Sequence, residues 1–197
     1  MKYEVKDFSQ LIGLGGFSDN ALNTHFSLYQ GYVNNTNKLL DSLDLMTKEE
    51  KMGLPEFSEI KRRLGWEFNG MRLHEYYFSA MSKNPILINQ EGGLYKKIVA
   101  SFGSFENWEK DFRATAVSRG IGWVILYYDK TNDGLINFWV GEHDEGHPSG
   151  LILLLNIDVF EHAFMLDYGT KRVDYIDAFM KVVDWQEVEK RFMSLSL

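Results

Sequence analysis

The sequence predicts an α+β protein, an N-terminal helical hairpin followed by a helix-flanked three-stranded antiparallel sheet domain. Three observations carry this. Apolar residues recur at separations of three, four and seven through two long segments of the first 84 residues. Asp129-Lys130-Thr131-Asn132-Asp133-Gly134, a strong turn segment, joins two β-rich stretches, Trp123 to Tyr128 and Leu135 to Val140. A third such stretch, Leu151 to Asp158, follows His147-Pro148-Ser149-Gly150. The expected division is a hairpin domain at 1–84 and an α/β domain at 85–197.

The first 19 residues hold no sustained period and contain Gly13, Gly15 and Gly16, so they read as an extended arm. Ser18 or Asp19 caps a first helix through Leu22, His25, Leu28, Tyr29 and Tyr32 towards Leu39 and Leu40. A break is expected from Asp41 to Pro55, with Thr47 and Glu50 spaced as a capping box for a short helical turn. A second long helix is expected from Glu56 to Met81, on the repeat Phe57, Ile60, Leu64, Phe68, Met71, His74, Phe78 and Met81. Gly65 and Gly70 weaken it and permit close helix approach, and Asn84-Pro85 ends it. Gly92 to Val99 forms another helix, Ser104 caps the next, and Tyr175 to Val183 and Trp185 to Phe192 are terminal helices.

Composition narrows the function. The 197 residues are 45% hydrophobic and 15% aromatic with three prolines, an ordinary globular balance that excludes disorder. A formal charge of −7 opposes a nonspecific grip on nucleic acid or an anionic membrane, so neither is an expected partner. Zero cysteines exclude disulfides, thiolate metal sites and a cysteine nucleophile, leaving nitrogen and oxygen donors for any metal. Acidic residues interrupt the N-terminus where a secretory signal needs an apolar run, and the apolar stretch Leu151 to Leu155 is far below the roughly 20 residues of a spanning helix. A cytoplasmic location is the expectation.

The chemistry concentrates on five histidines, His25, His74, His143, His147 and His162. Asp158 and His162 stand four apart just after an apolar strand, a pairing that suits Fe, Mn or Zn and equally describes a surface pair. His74 lies on the apolar stripe of its helix, where a hydrogen-bonded core histidine is the plainer reading. Composition and spacing do not join these regions into one site.

A resemblance joins them. Asp158-Val159-Phe160-Glu161-His162-Ala163-Phe164-Met165-Leu166-Asp167-Tyr168 is similar to the Asp-Val-Trp-Glu-His-Ala-Tyr-Tyr signature of the iron/manganese superoxide dismutases. Phe102-Gly103-Ser104, Gly120-Ile121-Gly122-Trp123 and Val183-Asp184-Trp185 fall where that family has Phe-Gly-Ser, Gly-Ser-Gly-Trp and Val-Asn-Trp. Phe68-Asn69-Gly70 with His74, and Tyr32-Val33-Asn34-Asn35-Thr36-Asn37, resemble its two ligand helices. The likeness implies redox-cycling disproportionation of superoxide to oxygen and hydrogen peroxide, with one Fe or Mn ion per subunit held by His25, His74, Asp158 and His162. Spacing from Tyr32 alone points to Thr24 as the first ligand, whereas Ser18 and Leu22 keep the family's distances to His25, so a one-residue deletion between His25 and Tyr32 is inferred. A helix tolerates it, because seven residues turn about 700°, roughly 20° short of two turns.

The same likeness implies that Tyr32 is the gateway tyrosine and that Glu161 reaches the opposing His162 across a homodimer. It also implies that His143, where manganese-type members have a glutamine, contacts metal-bound solvent; His147, beside Pro148, reads as structural or exposed. There are departures. No histidine stands in Ser27 to Tyr29, Met165 replaces a gateway tyrosine, and Phe78 and Phe160 replace tryptophans. The altered gateway keeps two alternatives open, a noncatalytic metal-binding protein retaining the fold and another mononuclear iron oxidoreductase, separable by activity at matched metal occupancy.

Overall fold

A computed structural model describes residues 2–194. An arm with a single 3-10 turn at Ser9–Leu11 leads into α1 (Asp19–Lys48) and α2 (Pro55–Ser79). Then come α3 (Gly93–Phe102), α4 (Phe105–Ala116), β1 (Gly122–Asp129), β2 (Gly134–Gly141), β3 (Leu151–Asp158), α5 (Glu161–Tyr168), α6 (Arg172–Val182) and α7 (Trp185–Met193). The arm is extended as expected, and it packs: Phe8, Leu11, Leu14 and Phe17 are buried in the core.

The Ser18 hydroxyl accepts from the Ala21 N–H, which fixes the start of α1. The helix runs eight residues beyond Leu40, correcting the break expected from Asp41. Leu43 continues the apolar stripe and is buried, and Lys48 pairs with Asp44 one turn earlier. The capping box at Thr47 does not form. That hydroxyl donates back to the Leu43 carbonyl at 2.8 Å, inside the helix, and Glu50 takes φ +56° in the turn that follows. Pro55 opens α2 at its first turn, where its missing N–H costs nothing.

The other end of α2 stops at Ser79, before Met81, because the chain is claimed by a partner of higher sequence separation. Met81 pairs with Val183 as an isolated bridge, Ser82 N–H donates to the Val182 carbonyl at 2.9 Å, and Asp184 N–H donates to the Ala80 carbonyl at 2.8 Å. The hairpin is thereby sewn to the C-terminal helices. Ser104 caps α4 by accepting from the Asn107 N–H, as expected.

The sheet has order β2-β1-β3, all antiparallel. β1 is central, and Trp123 stands opposite Val140 on one side and Asp158 on the other. The register of β3 shifts by one residue beside Leu126 and Tyr127. Trp108, Phe112, Trp123, Tyr175 and Phe179 are fully buried at the centre of the core. No helix among the described residues is long and apolar enough to cross a membrane.

Gly122 opens β1 at φ +141°, and a Cβ there would overlap the Val140 carbonyl oxygen, a ladder atom that cannot retreat without breaking the β1–β2 register. Gly122→Ala is therefore expected to destabilise the protein by about 3 kcal/mol, read as a lowered calorimetric Tm.

Candidate metal centre

Four elements converge on one point. α1 supplies His25, α2 supplies His74, the end of β3 supplies Asp158 and the first turn of α5 supplies His162. One donor atom from each lies within 4.8 Å of all the others. Asp158 Oδ2 is 3.1 Å from His25 Nε2, 3.2 Å from His162 Nε2 and 3.6 Å from His74 Nε2. Donors bonded to one ion at about 2.1 Å lie roughly 3.0–3.5 Å from one another, so the Asp158 oxygen stands from the three imidazole nitrogens at close to the spacing of a coordination sphere. Thr24, the competing register choice, is exposed, while His25 is buried in the cluster.

His74 gives the sharpest test of fit. Its Nδ1 lies 2.6 Å from the Gly70 carbonyl, which only accepts, so Nδ1 carries the proton and Nε2 presents a bare lone pair. That Nε2 is fully buried and has no hydrogen-bond partner. An orphaned imidazole lone pair beside a carboxylate lacks a cation, and a divalent or trivalent ion satisfies it.

The electrostatics agree. Burial alone would push the Asp158 carboxyl up, but His162 and His25 outweigh it and hold it far below the usual carboxylate range. Burial pushes His25 down despite the Asp158 carboxylate that accepts its hydrogen bond. Burial, then repulsion by His25, push His74 well below the ordinary imidazole value. At His162 burial works downward, yet the charge and hydrogen bond of Asp158 prevail and raise it. The site thus keeps an ionised carboxylate beside two imidazoles biased to neutrality, as metal binding requires, while His162 is biased towards its protonated form and gives up that proton when a cation binds.

Asp158 is itself held from behind. Its Oδ1 accepts from the Phe160 N–H at 2.8 Å, and its carbonyl accepts from the Tyr175 hydroxyl at 2.7 Å. With that proton committed, Tyr77 donates to Tyr175 across 3.0 Å. Asn156 Nδ2 donates to the Leu73 carbonyl at 2.8 Å, tying β3 to α2 beside both Asp158 and His74.

Beyond the cluster lie Tyr32 and His143. The Tyr32 ring stacks on His74 with centroids 5.2 Å apart, occupying the space a Cβ at Gly70 would need, 2.6 Å from Tyr32 Cδ1. Gly70 is therefore the close approach expected of it, made by a ring of α1. His143 is completely buried, with Nδ1 3.0 Å from Trp123 Nε1 and Nε2 2.8 Å from the Tyr32 hydroxyl. The indole N–H only donates, so Nδ1 accepts and the ring proton sits on Nε2, aimed at Tyr32. Burial pushes the His143 pKa down to about 4 and raises that of Tyr32, keeping both neutral at pH 7.

The departures from the gateway pattern also have a structural form. Tyr29, one turn after His25, is buried, accepting from the Lys6 N–H at 3.0 Å and donating to Glu75 at 3.1 Å, and Ser27 and Met165 are exposed. Phe78 and Phe160 line the centre, 4.9 Å from the His25 ring and 5.2 Å from the His162 ring. Sequence reasoning missed Trp66. Its ring meets His143 at 4.6 Å and Tyr32 at 5.5 Å, carries the Arg63 guanidinium at 3.8 Å, and donates to Glu142 at 3.4 Å. The available signal was its place eight residues before His74, on the same i, i+4, i+8 ridge of the helix. His147 is half-buried and bonded at both nitrogens, to Tyr127 and to the His143 carbonyl.

Comparisons with known proteins fit this centre. Residues 90–191 match the family described as iron/manganese superoxide dismutases, C-terminal domain. An iron superoxide dismutase of Sulfolobus acidocaldarius is 34% identical over 88% of this chain and 84% of its own length. Superoxide dismutase (Mn) 1 of Halobacterium salinarum is 37% identical over 85% and 82%, and an iron superoxide dismutase of Cupriavidus metallidurans is 33% identical over 98% and 97%. Relatives named for each metal thus align along most of the chain, and with them the chain belongs to the iron/manganese superoxide dismutase family, as an oxidoreductase that uses iron or manganese to dismutate superoxide.

Proposed function

We propose that His25, His74, Asp158 and His162 hold one Fe or Mn ion per subunit and that Tyr32 and His143 serve the reaction beside it. The observation that carries this reading is the buried, unpartnered His74 lone pair facing the same carboxylate oxygen as His25 and His162. When bound, the metal supplies one-electron chemistry, cycling between trivalent and divalent states as one superoxide is oxidised to oxygen and the next, with two protons, is reduced to hydrogen peroxide.

The chain's own part is positioning and proton supply. Tyr175 and the Phe160 N–H fix the Asp158 carboxylate, and the Gly70 carbonyl fixes the tautomer of His74. Phe78, Trp123 and Phe160 wall the cluster with apolar surface, which limits water and strengthens the charges inside. Trp123 holds Nδ1 of His143, so His143 Nε2–H donates to Tyr32 Oη and leaves the phenol proton free to point at an anion in the centre. The expected contact of His143 with metal-bound solvent is recast here, because its single N–H is aimed at Tyr32, and His143 acts through that hydroxyl.

A homodimer completes the reading. His162 Nε2 faces Asp158, and its Nδ1 makes no hydrogen bond among the described residues. The neighbouring Glu161 is exposed beside a concavity of about 530 Å³ lined by Val117, Ile121, Phe164, Met165 and Val173, apolar surface of the kind a second copy buries. In a twofold dimer each Glu161 accepts from the opposing His162 Nδ1–H, tying assembly to the metal site.

Three outcomes are expected. His74→Ala lowers metal content per chain as well as turnover, by about 10- to 100-fold in affinity or more, read by elemental analysis after metal loading; full occupancy would reject the ligand set. Glu161→Ala shifts sedimentation towards the monomer and lowers metal retention together, and a wild-type protein monomeric at working concentrations would reject the interface. His143→Ala keeps most of its metal while turnover falls and the metal's reduction potential moves, and His143→Gln, which restores an N–H donor, recovers more than alanine. Equal turnover and potential in all three proteins would remove His143 from the mechanism.

A further inference from the structure

The loop between β2 and β3, residues 142–150, carries His143 into the centre, and its backbone is irregular. Glu142 sits at φ +51°, Gly146 at +84° and Gly150 at +78°. Its main-chain ties to the body come early. Gly141 and Glu145 exchange hydrogen bonds at 2.9 and 3.0 Å, and Glu142 N–H reaches the Ile121 carbonyl at 3.3 Å. Such a loop does not by itself hold an imidazole to the few tenths of an ångström that its bonds to Trp123 and Tyr32 demand.

His147 supplies what is lacking. Its Nε2 lies 2.9 Å from the main-chain carbonyl of His143, an acceptor only, so Nε2 carries the proton. Neutral His147 then has a bare Nδ1, and the Tyr127 hydroxyl, 2.9 Å away, donates to it. Tyr127 is nearly fully buried in the middle of β1. The polarity of this chain is fixed end to end, from Tyr127 O–H through the ring of His147 to the carbonyl of His143.

The spacing shows that the arrangement is built. Trp123 and Tyr127 are four apart on β1, so they project from the same face of the strand. His143 and His147 are also four apart, and each receives at Nδ1 a hydrogen bond from its counterpart on the strand. One strand face thus clamps the loop at two matched points, the first gripping the His143 ring and the second its backbone.

We propose that His147 is a positioning residue for the dismutase reaction: clamped by Tyr127, it holds the His143 carbonyl and so fixes the ring that donates to Tyr32. This deepens the reading of His143 given above and rests on it. Rotation of the His143 peptide plane swings its Cβ, and with it both ring nitrogens, away from Trp123 and Tyr32. Neither His147 nor Tyr127 touches the metal cluster, so their influence passes through His143.

The test uses the metal-loaded protein with His147→Leu, His147→Gln and Tyr127→Phe. Turnover is measured in manganese-loaded protein at matched occupancy, and the ring nitrogens are read by ¹⁵N-histidine NMR in zinc-loaded protein, with His143→Ala giving the assignment. In the parent, His143 shows one bare nitrogen and one N–H. His147→Leu is expected to merge these into an exchange-averaged pair and to lower turnover about tenfold. Glutamine, which accepts from Tyr127 and donates to the carbonyl, restores both. Should the leucine variant fail to fold, Tyr127→Phe decides, expected to lose the fixed His143 signature in part and to lower turnover less. An unchanged His143 signature and turnover in the folded variants, or a glutamine variant no better than leucine, overturns the proposal. A silent His143→Ala defeats the underlying reading instead, so the two failures are distinguishable.

Discussion

One carboxylate oxygen organises this protein. Asp158 Oδ2 is completely buried and faces three imidazoles, two of them delivered by helices distant in sequence, and taking such a charge out of water is costly unless opposite charge or donors surround it. The rest of the architecture reads as the means of bringing those groups to it. Pairing of β3 with β1 sets Asp158 beside Trp123, the helical hairpin places His25 and His74 against it, and the sharp passage from β3 into α5 returns His162 to the same atom four residues later. The convergence is sustained without a cation only partly, since one imidazole lone pair stays unmatched. That imbalance is the chemical record of the ion the family uses.

Around this centre the polar groups are ordered by what each neighbour can do. Carbonyls only accept and indoles only donate, so Gly70 sets the tautomer of His74 and Trp123 sets that of His143, with no freedom left to either ring. The consequence is a hydrogen-bond chain of fixed direction, ending on a phenol whose ionisation burial suppresses. The two replacements of tryptophan by Phe78 and Phe160 preserve the apolar wall and remove two donors, while Trp123 packs against His74 and Trp66 against His143.

Local pattern made most of this fold legible. The strands agree with the sequence reading to within one residue at each end, because alternation and the 129–134 turn are short-range signals, and the Ser18 and Ser104 caps were visible for the same reason. What was not legible depended on distant partners. The end of α2 is decided by strand-like bonding to residues 182–184, and the prolongation of α1 by packing of Leu43, neither of which a local window contains. In the site, spacing alone left His25 and Thr24 in competition, and His74 and the Asp158–His162 pair had plainer readings, so only the family likeness joined them. The contacts of Trp66 and His147 remained hidden because Glu142 and the His143 carbonyl are brought to them by the irregular loop between β2 and β3, whose path no local pattern gives.

The separation between the donors bears on how the protein acquires its metal during synthesis. His25 and His74 leave the ribosome early, but Asp158 and His162 come 84 to 88 residues after His74, and the Tyr175 hydroxyl that steadies Asp158 comes later still. At roughly 5–20 residues per second the nascent chain spends about 4 to 18 s between His74 and His162 with two neutral imidazoles and no carboxylate. Such a pair holds a hard cation weakly. The four donors can therefore stand together only in the finished chain, once the segment carrying Asp158 and His162 has closed over the helical hairpin.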